Sequence, residues 1–81
     1  MDKLHLSIVS PEKILFDGDI SSVTLPGTVG SFTILPHHAP IVSSLKAGKL
    51  VYMTEDDHEQ EMDIQGGFIE LSNGDISVCV S

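Results

Sequence analysis

Apolar residues recur at every second position in short runs along this chain, and no stretch sets them at helical spacing. A period of two places one side of each run against a core and the other in solvent, which is the signature of a half-buried β-strand. Leu4, Leu6 and Ile8 alternate with His5, Ser7 and Val9, and this first strand ends at Ser10 and Pro11. Lys13 to Phe16 is a second short run, after which Asp17, Gly18 and Asp19 read as a turn. Ile20, Val23 and Leu25 lead to Pro26 and Gly27, where proline fixes φ and glycine supplies the positive φ that a type II turn needs at its third position. In Gly30 to Leu35, Phe32 and Ile34 fall on one face and Ser31 and Thr33 on the other. Ile41 to Leu45 reads as one helical turn, and Ala47 with Gly48 as a break. Leu50 to Thr54 and Gln60 to Gln65 read as strands joined by the acidic segment Glu55 to Glu59, and Gly66 with Gly67 opens the run Phe68, Ile69, Leu71. Asn73-Gly74 is the strongest hairpin signal, because both central positions of a type I′ turn require positive φ. The last strand, Asp75 to Ser81, turns Ile76, Val78 and Val80 inward and Ser77, Cys79 and Ser81 outward. The pattern predicts an all-β fold, an antiparallel β-sandwich or flattened barrel of roughly eight to ten short strands. It is expected to be a single domain over 1–81, with no internal repeat or linker.

Backbone constraint is concentrated between Val23 and Gly48, which holds three of the four prolines, three of the seven glycines and two of the four histidines. Ala39 precedes a proline and is biased toward extended geometry; the same geometry is expected of His37. Leu35 to Pro40 should therefore form a stiff, exposed corner, the feature a partner would read.

Charge narrows the function. Twelve acidic residues face four lysines and no arginine, a net charge of −8. With no basic stripe for phosphates and no arginine for base edges, nucleic-acid binding is not expected, and anionic membrane surfaces are disfavoured for the same reason. The single cysteine excludes an internal disulfide and a multi-cysteine metal site. The start, M-D-K-L-H-L, lacks the charged-then-apolar run of a signal peptide, and no apolar run reaches membrane-spanning length, so no direct membrane insertion is expected.

Chemistry-bearing residues are few. His37 and His38 suggest a two-imidazole metal site, but neighbours in an extended segment point to opposite sides and no third ligand accompanies them at useful spacing. His38 with Ser43 or Ser44 lacks the elbow and the placed acid of a serine hydrolase. The run E-D-D-H-E-Q-E-M-D, Glu55 to Asp63, carries six carboxylates without the D-x-D-x-D-G spacing of a calcium loop, and reads as a solvated hairpin tip. Gly66 and Gly67 precede neither a helix start nor a lysine, so close backbone approach or a bulge is favoured over a phosphate cradle. Cys79 is read as an inert thiol, and Phe16, Phe32 and Phe68 as core, with Tyr52 undecided. Ile41, Val42 and Leu45 have two open readings, a lid on the core or the apolar centre of an interface. No cofactor and no catalytic residue is expected. The rival reading is a small metal- or ligand-binding β-barrel module built on His37, His38 and the acidic hairpin.

One pattern spans almost the whole chain. The motif P-G-x-x-G-x-F-x-I-L-P-x-H-A-P at Pro26 to Pro40 is followed by L-K-x-G at Leu45 to Gly48 and G-G-F-I-E-L at Gly66 to Leu71. With V-S-P-E-K at Val9 to Lys13 and L-F-D-G at Leu15 to Gly18, it resembles the epsilon subunits of bacterial rotary ATP synthases. The resemblance implies a non-catalytic β-sandwich at the foot of the central stalk, coupling the gamma subunit to the c-subunit ring on the cytoplasmic face of the bacterial plasma membrane. By position, Ser10 and the segment His38, Ala39, Pro40, Ile41, Val42 to Leu45 match the family's gamma-facing surface. Thr28, Val29, Gly30 and Ser31 match the loop that meets the c ring. Members commonly carry an acidic residue where Ser31 stands, and here only a hydroxyl is available. Members also usually continue into a C-terminal helical hairpin that inhibits ATP hydrolysis; this sequence is expected to lack that arm and any nucleotide site on it.

Overall fold

Three strands of fourteen residues each form the frame of the molecule, and each is long enough to pass from one face of the sandwich to the other. In the computed structural model, which describes residues 3–81, the elements are β1 (Leu4–Val9), β2 (Ile14–Gly27), β3 (Gly30–Ile34), β4 (Ile41–Thr54), β5 (Glu59–Ser72) and β6 (Asp75–Val80). Met1 and Asp2, which open the stretch read for a signal peptide, lie outside the described residues. The strands form one sheet in the order β1-β6-β5-β4-β2-β3, and a further antiparallel pairing of β1 with β2 closes the circuit. Only β1 and β6 run parallel. The result is an all-β flattened barrel of 31 × 23 × 19 Å.

The expected alternation sets the core. Leu4, Leu6, Ile8, Ile20, Val23, Leu25, Ile34, Leu50, Ile69, Leu71, Ile76 and Val78 are buried to near-completeness, and Tyr52 joins them with its ring 4.4 Å from that of Phe16. Burying sixteen hydrophobic side chains in a chain of 81 residues supplies most of its stability, at about 1.5–3 kcal/mol for each large aliphatic group before entropy is subtracted.

Six strands stand where eight to ten were expected, because most of the predicted breaks are not breaks. Asp17-Gly18-Asp19 continues β2: Gly18 pairs with Leu6, and the Phe16 ring lies against the space a Cβ would fill. Pro26 and Gly27 end β2 as buried strand residues, and the turn falls two residues later at Thr28 and Val29. Gly27 is required by close approach, since a Cβ there would come within 2.7 Å of the Gly30 carbonyl and 2.8 Å of the Phe32 ring. Ile41 to Leu45 is strand and not helix: its backbone pairs residue by residue with Leu71 to Gly67, and this ladder outweighs the local signal. Ala47 and Gly48 lie inside β4, and Gly66 and Gly67 inside β5, at the same level. Both glycines of β5 have positive φ, and a Cβ on Gly67 would overlap the carbonyl of Cys79.

Two further expectations change. His37 has φ 73, because it takes the third position of a turn led by Pro36 and closed by the His38 N–H on the Leu35 carbonyl. Phe68 is 52% exposed, on the outer side of β5. Phe16 and Phe32 are partly buried against the core. Asn73 and Gly74 form the hairpin turn with φ 52 and 81.

Candidate functional surface

Sheet register decides which distant residues share a surface. On β4, β5, β6, β1 and the first half of β2, directly paired residues point the same way, so the outward side chains fall into rows. One row runs Ser44, Phe68, Cys79, Val9, Ile14. A second runs Val42, Glu70, Ser77, Ser7, Asp17, and a third holds Ser72, Asp75, His5 and Asp19. The face grades from an apolar end, through hydroxyls, to an ionic end. At the apolar end a shallow hollow of about 260 Å³ is lined by Val9, Ser10, Pro11, Cys79 and Val80.

The residues matched to a gamma-facing surface divide along this face. Ser10 follows β1 at the apolar end. Its hydroxyl is taken up locally: it accepts from the Glu12 and Lys13 N–H groups at 3.4 and 3.3 Å and lies 3.3 Å from the Lys13 carbonyl. His38 and Pro40 lie at the other end, where with Lys3, Leu4, His37, Asn73 and Gly74 they line an open polar cleft of about 290 Å³. The six residues of β1 separate the two ends by roughly 20 Å. His38, Ala39 and Pro40 are exposed, and His38 Nδ1 donates to the Ala39 carbonyl at 2.7 Å. Val42 is 74% exposed, whereas Ile41 packs partly against the core and Leu45 is 5% exposed. Leu45 therefore belongs to the core, while Val42 stands out from it on the outer face.

Thr28, Val29, Gly30 and Ser31 are all exposed at the β2–β3 hairpin tip, and Val29 is fully so. This tip is fastened to the outer face. The Thr28 N–H donates to the Ser44 carbonyl at 3.2 Å, and the two hydroxyls are 3.0 Å apart.

Sequence reasoning missed Phe68 as a surface residue. It pairs with Ser44 on one side and Cys79 on the other, so it lies between the Val42 and Ser10 ends of the surface. The available signal was parity: Ile69 and Leu71 are inward, so Phe68, one residue before Ile69, points outward.

The alternative sites do not assemble. Among the described residues no group of three His, Cys, Asp or Glu side chains comes together to hold a metal ion. The acidic segment forms the exposed β4–β5 turn, with Thr54 accepting at its carbonyl from Asp57 N–H at 3.0 Å. Lys49 meets Glu61 at 3.2 Å across β4 and β5, and that carboxylate, together with Asp63, holds the ammonium pKa above its usual value.

Comparison with known proteins follows the same lines. The family described as ATP synthase, Delta/Epsilon chain, beta-sandwich domain matches residues 3–81. The ATP synthase epsilon chain of Leptospira borgpetersenii serovar Hardjo-bovis is 41% identical over 76 residues, 94% of this chain and 59% of the relative. That of Campylobacter concisus is 42% identical over 80 residues, 96% and 60% respectively, and that of Chlorobaculum tepidum 45% over 67 residues, 83% and 76%. The chain thus spans about 60% of the length of the first two. A chain in the solved mitochondrial ATP synthase of Euglena gracilis, an assembly of OSCP, F1 and c-ring, has the same fold with a TM-score of 0.93 at 18% identity, covering 99% of this chain and 51% of that one. A chain in the central stalk and c-ring of the Tetrahymena thermophila mitochondrial enzyme gives 0.78 at 15%, covering 96% and 63%.

Proposed function

We propose, from the premise that the chain belongs to the β-sandwich family of ATP synthase delta/epsilon chains, that it serves as a non-catalytic wedge in the central stalk of such a synthase. One surface meets the gamma subunit and the other meets the c ring, and the single domain acts as one unit over the described residues 3–81. As part of that complex it is placed at the cytoplasmic face of the bacterial plasma membrane, held there by its partners.

The observation that carries this reading is the tie between Thr28 and Ser44. A wedge that transmits torque needs its two contact surfaces joined by stiff structure. Here the hairpin tip assigned to the ring is bonded to the strand that presents Val42 to the shaft. Both β2, which leads into the tip, and β4, which carries Ser44, belong to the closed circuit of strands.

The gamma-facing surface is the outer face, with Val42 and Phe68 as its apolar anchors and His38 to Pro40 at its far edge. A standard interface buries about 800 Å² per partner, a patch roughly 28 Å on a side. A separation of roughly 20 Å between Ser10 and His38 fits within one such contact. At the ring-facing tip Ser31 offers a hydroxyl in place of a carboxylate, so contact there rests on Val29 packing and hydrogen bonding. The test is co-expression with the cognate gamma subunit, which should yield a stoichiometric complex that Val42→Asp and Phe68→Asp weaken while the isolated chain stays folded.

A further inference from the structure

At the ionic end of the outer face, His5 is gripped on both sides of its ring. Nδ1 lies 3.0 Å from Asp19 Oδ1 and Nε2 lies 2.6 Å from Asp17 Oδ1. Ionised carboxylates only accept, and a neutral imidazole has one N–H to give. Two simultaneous contacts therefore require the doubly protonated ring. Every strand that flanks β1 contributes to its surroundings. β2 brings Asp17 and Asp19, and β6 brings Asp75, which pairs with His5 in the parallel ladder. From β1's own approach, Lys3 reaches Asp19 at 3.9 Å and Glu55 of the β4–β5 turn at 3.6 Å. Among the described residues the ring itself contacts Asp17 and Asp19, with Asp75 as its ladder partner and Lys3 joined to it through Asp19.

The location gives the contact leverage. The β1–β2 pairing is the one that closes the circuit of strands, and His5 sits in its register opposite Asp19 while its backbone N–H binds the Gly74 carbonyl at 2.9 Å. We propose that His5, Asp17 and Asp19 form a proton-operated latch on the closing seam of the barrel, fastened by the imidazolium and slackened when the ring gives up one proton to solvent.

The direction follows from linkage. Hydrogen bonds from Asp19 first and Asp17 second raise the His5 pKa above its ordinary 6.5, with a smaller opposing effect from desolvation. A group whose folded pKa is raised adds stability that is fully present below the unfolded value and is lost as pH rises through the folded one. The latch thus holds below about pH 6.5 and loosens above it. The cluster is half exposed and screened by water, which keeps the effect small.

Two measurements on the whole 81-residue chain test this. The chain carries three further histidines, His37, His38 and His58, so thermal unfolding is compared between the wild type and His5→Gln from about pH 5.5 to about pH 9. The wild type should melt about 2–4 °C above the variant at the acid end, and the gap should close toward the alkaline end. The His5 ring resonances of the wild type should titrate with a midpoint above 6.5, and Asp17→Asn with Asp19→Asn should bring that midpoint back toward the ordinary value. A melting gap that does not change with pH overturns the latch, as does a wild-type midpoint at or below 6.5. If His5→Gln fails to fold, the wild-type and double-asparagine midpoints decide the matter alone.

Discussion

Thr28 holds Ser44 at two points, its N–H on the Ser44 carbonyl at 3.2 Å and its hydroxyl 3.0 Å from the Ser44 hydroxyl. These residues are sixteen apart in sequence, and one lies on a hairpin tip while the other lies within β4. The bond converts an exposed loop into an extension of the sheet, and the proposed wedge depends on that conversion.

Thr28→Val keeps the branched shape and the backbone donor but removes the hydroxyl. At this exposed site water replaces the lost partner, so the expected cost is about 0.5–1 kcal/mol. The check is the urea midpoint at unchanged slope, which separates a loss of stability from a change in compactness.

Leu45 and Val42, three residues apart on one strand, should respond in opposite ways. Leu45→Ala opens the core and should cost about 2–4 kcal/mol, a large part of the roughly 4–12 kcal/mol that a chain of this size has in total. Val42→Asp should leave the unfolding curve within about 0.5 kcal/mol of wild type and act on gamma binding alone. Denaturant melts paired with a pull-down read both effects.

Much of the fold was legible because alternation is a strong signal when one face is buried. Leu4-Leu6-Ile8 and Ile76-Val78-Val80 point inward as their spacing requires. What the local pattern could not show is that Gly18, Gly48, Gly66 and Gly67 sit inside long strands. Gly18 and Gly48 read locally as punctuation, yet their use is tertiary, a ring over Gly18 and Pro26 against Gly48; at Gly67 the close backbone approach favoured from sequence is made by the Cys79 carbonyl. The same limit hid the outer surface. Phe68, Cys79 and Val9 are remote in sequence and become neighbours only through register. A lone phenylalanine is more often core, and only the parity of Ile69 and Leu71 argued otherwise.

Gly67 offers a sharp test of that tertiary use. It has φ 147, and an added Cβ would overlap the Cys79 carbonyl on β6. Gly67→Ala must either shift β6 or break a ladder contact, and a loss of more than about 2 kcal/mol is expected, measured by urea unfolding. Gly30→Ala, where a Cβ meets nothing within 4 Å, carries only the backbone strain of its φ of 147 and should cost less.

Tyr52 sets an alkaline limit. Burial raises its phenol pKa above the usual 10, so the neutral form is favoured in the fold. Stability from this source is complete below the unfolded value and falls as pH climbs through the folded one. Tyr52 is the sole tyrosine and the chain has no tryptophan, so phenolate absorbance reports this one group. Its midpoint should lie above 10 in the native chain and drop toward the ordinary value in denaturant, and Tyr52→Phe should remove this contribution to alkaline unfolding.

The central claim is that this small acidic body works by being held on its outer face while its hairpin tip bears on a ring. The most direct measurement is native binding of the purified 81-residue chain to its cognate gamma subunit, with Val42→Asp and Phe68→Asp beside the wild type and zinc absent and present. The account predicts a one-to-one complex that both substitutions weaken at least tenfold, about 1.4 kcal/mol or more, with no dependence on the metal. A chain that ignores gamma, or one whose binding is untouched by both substitutions, would contradict it.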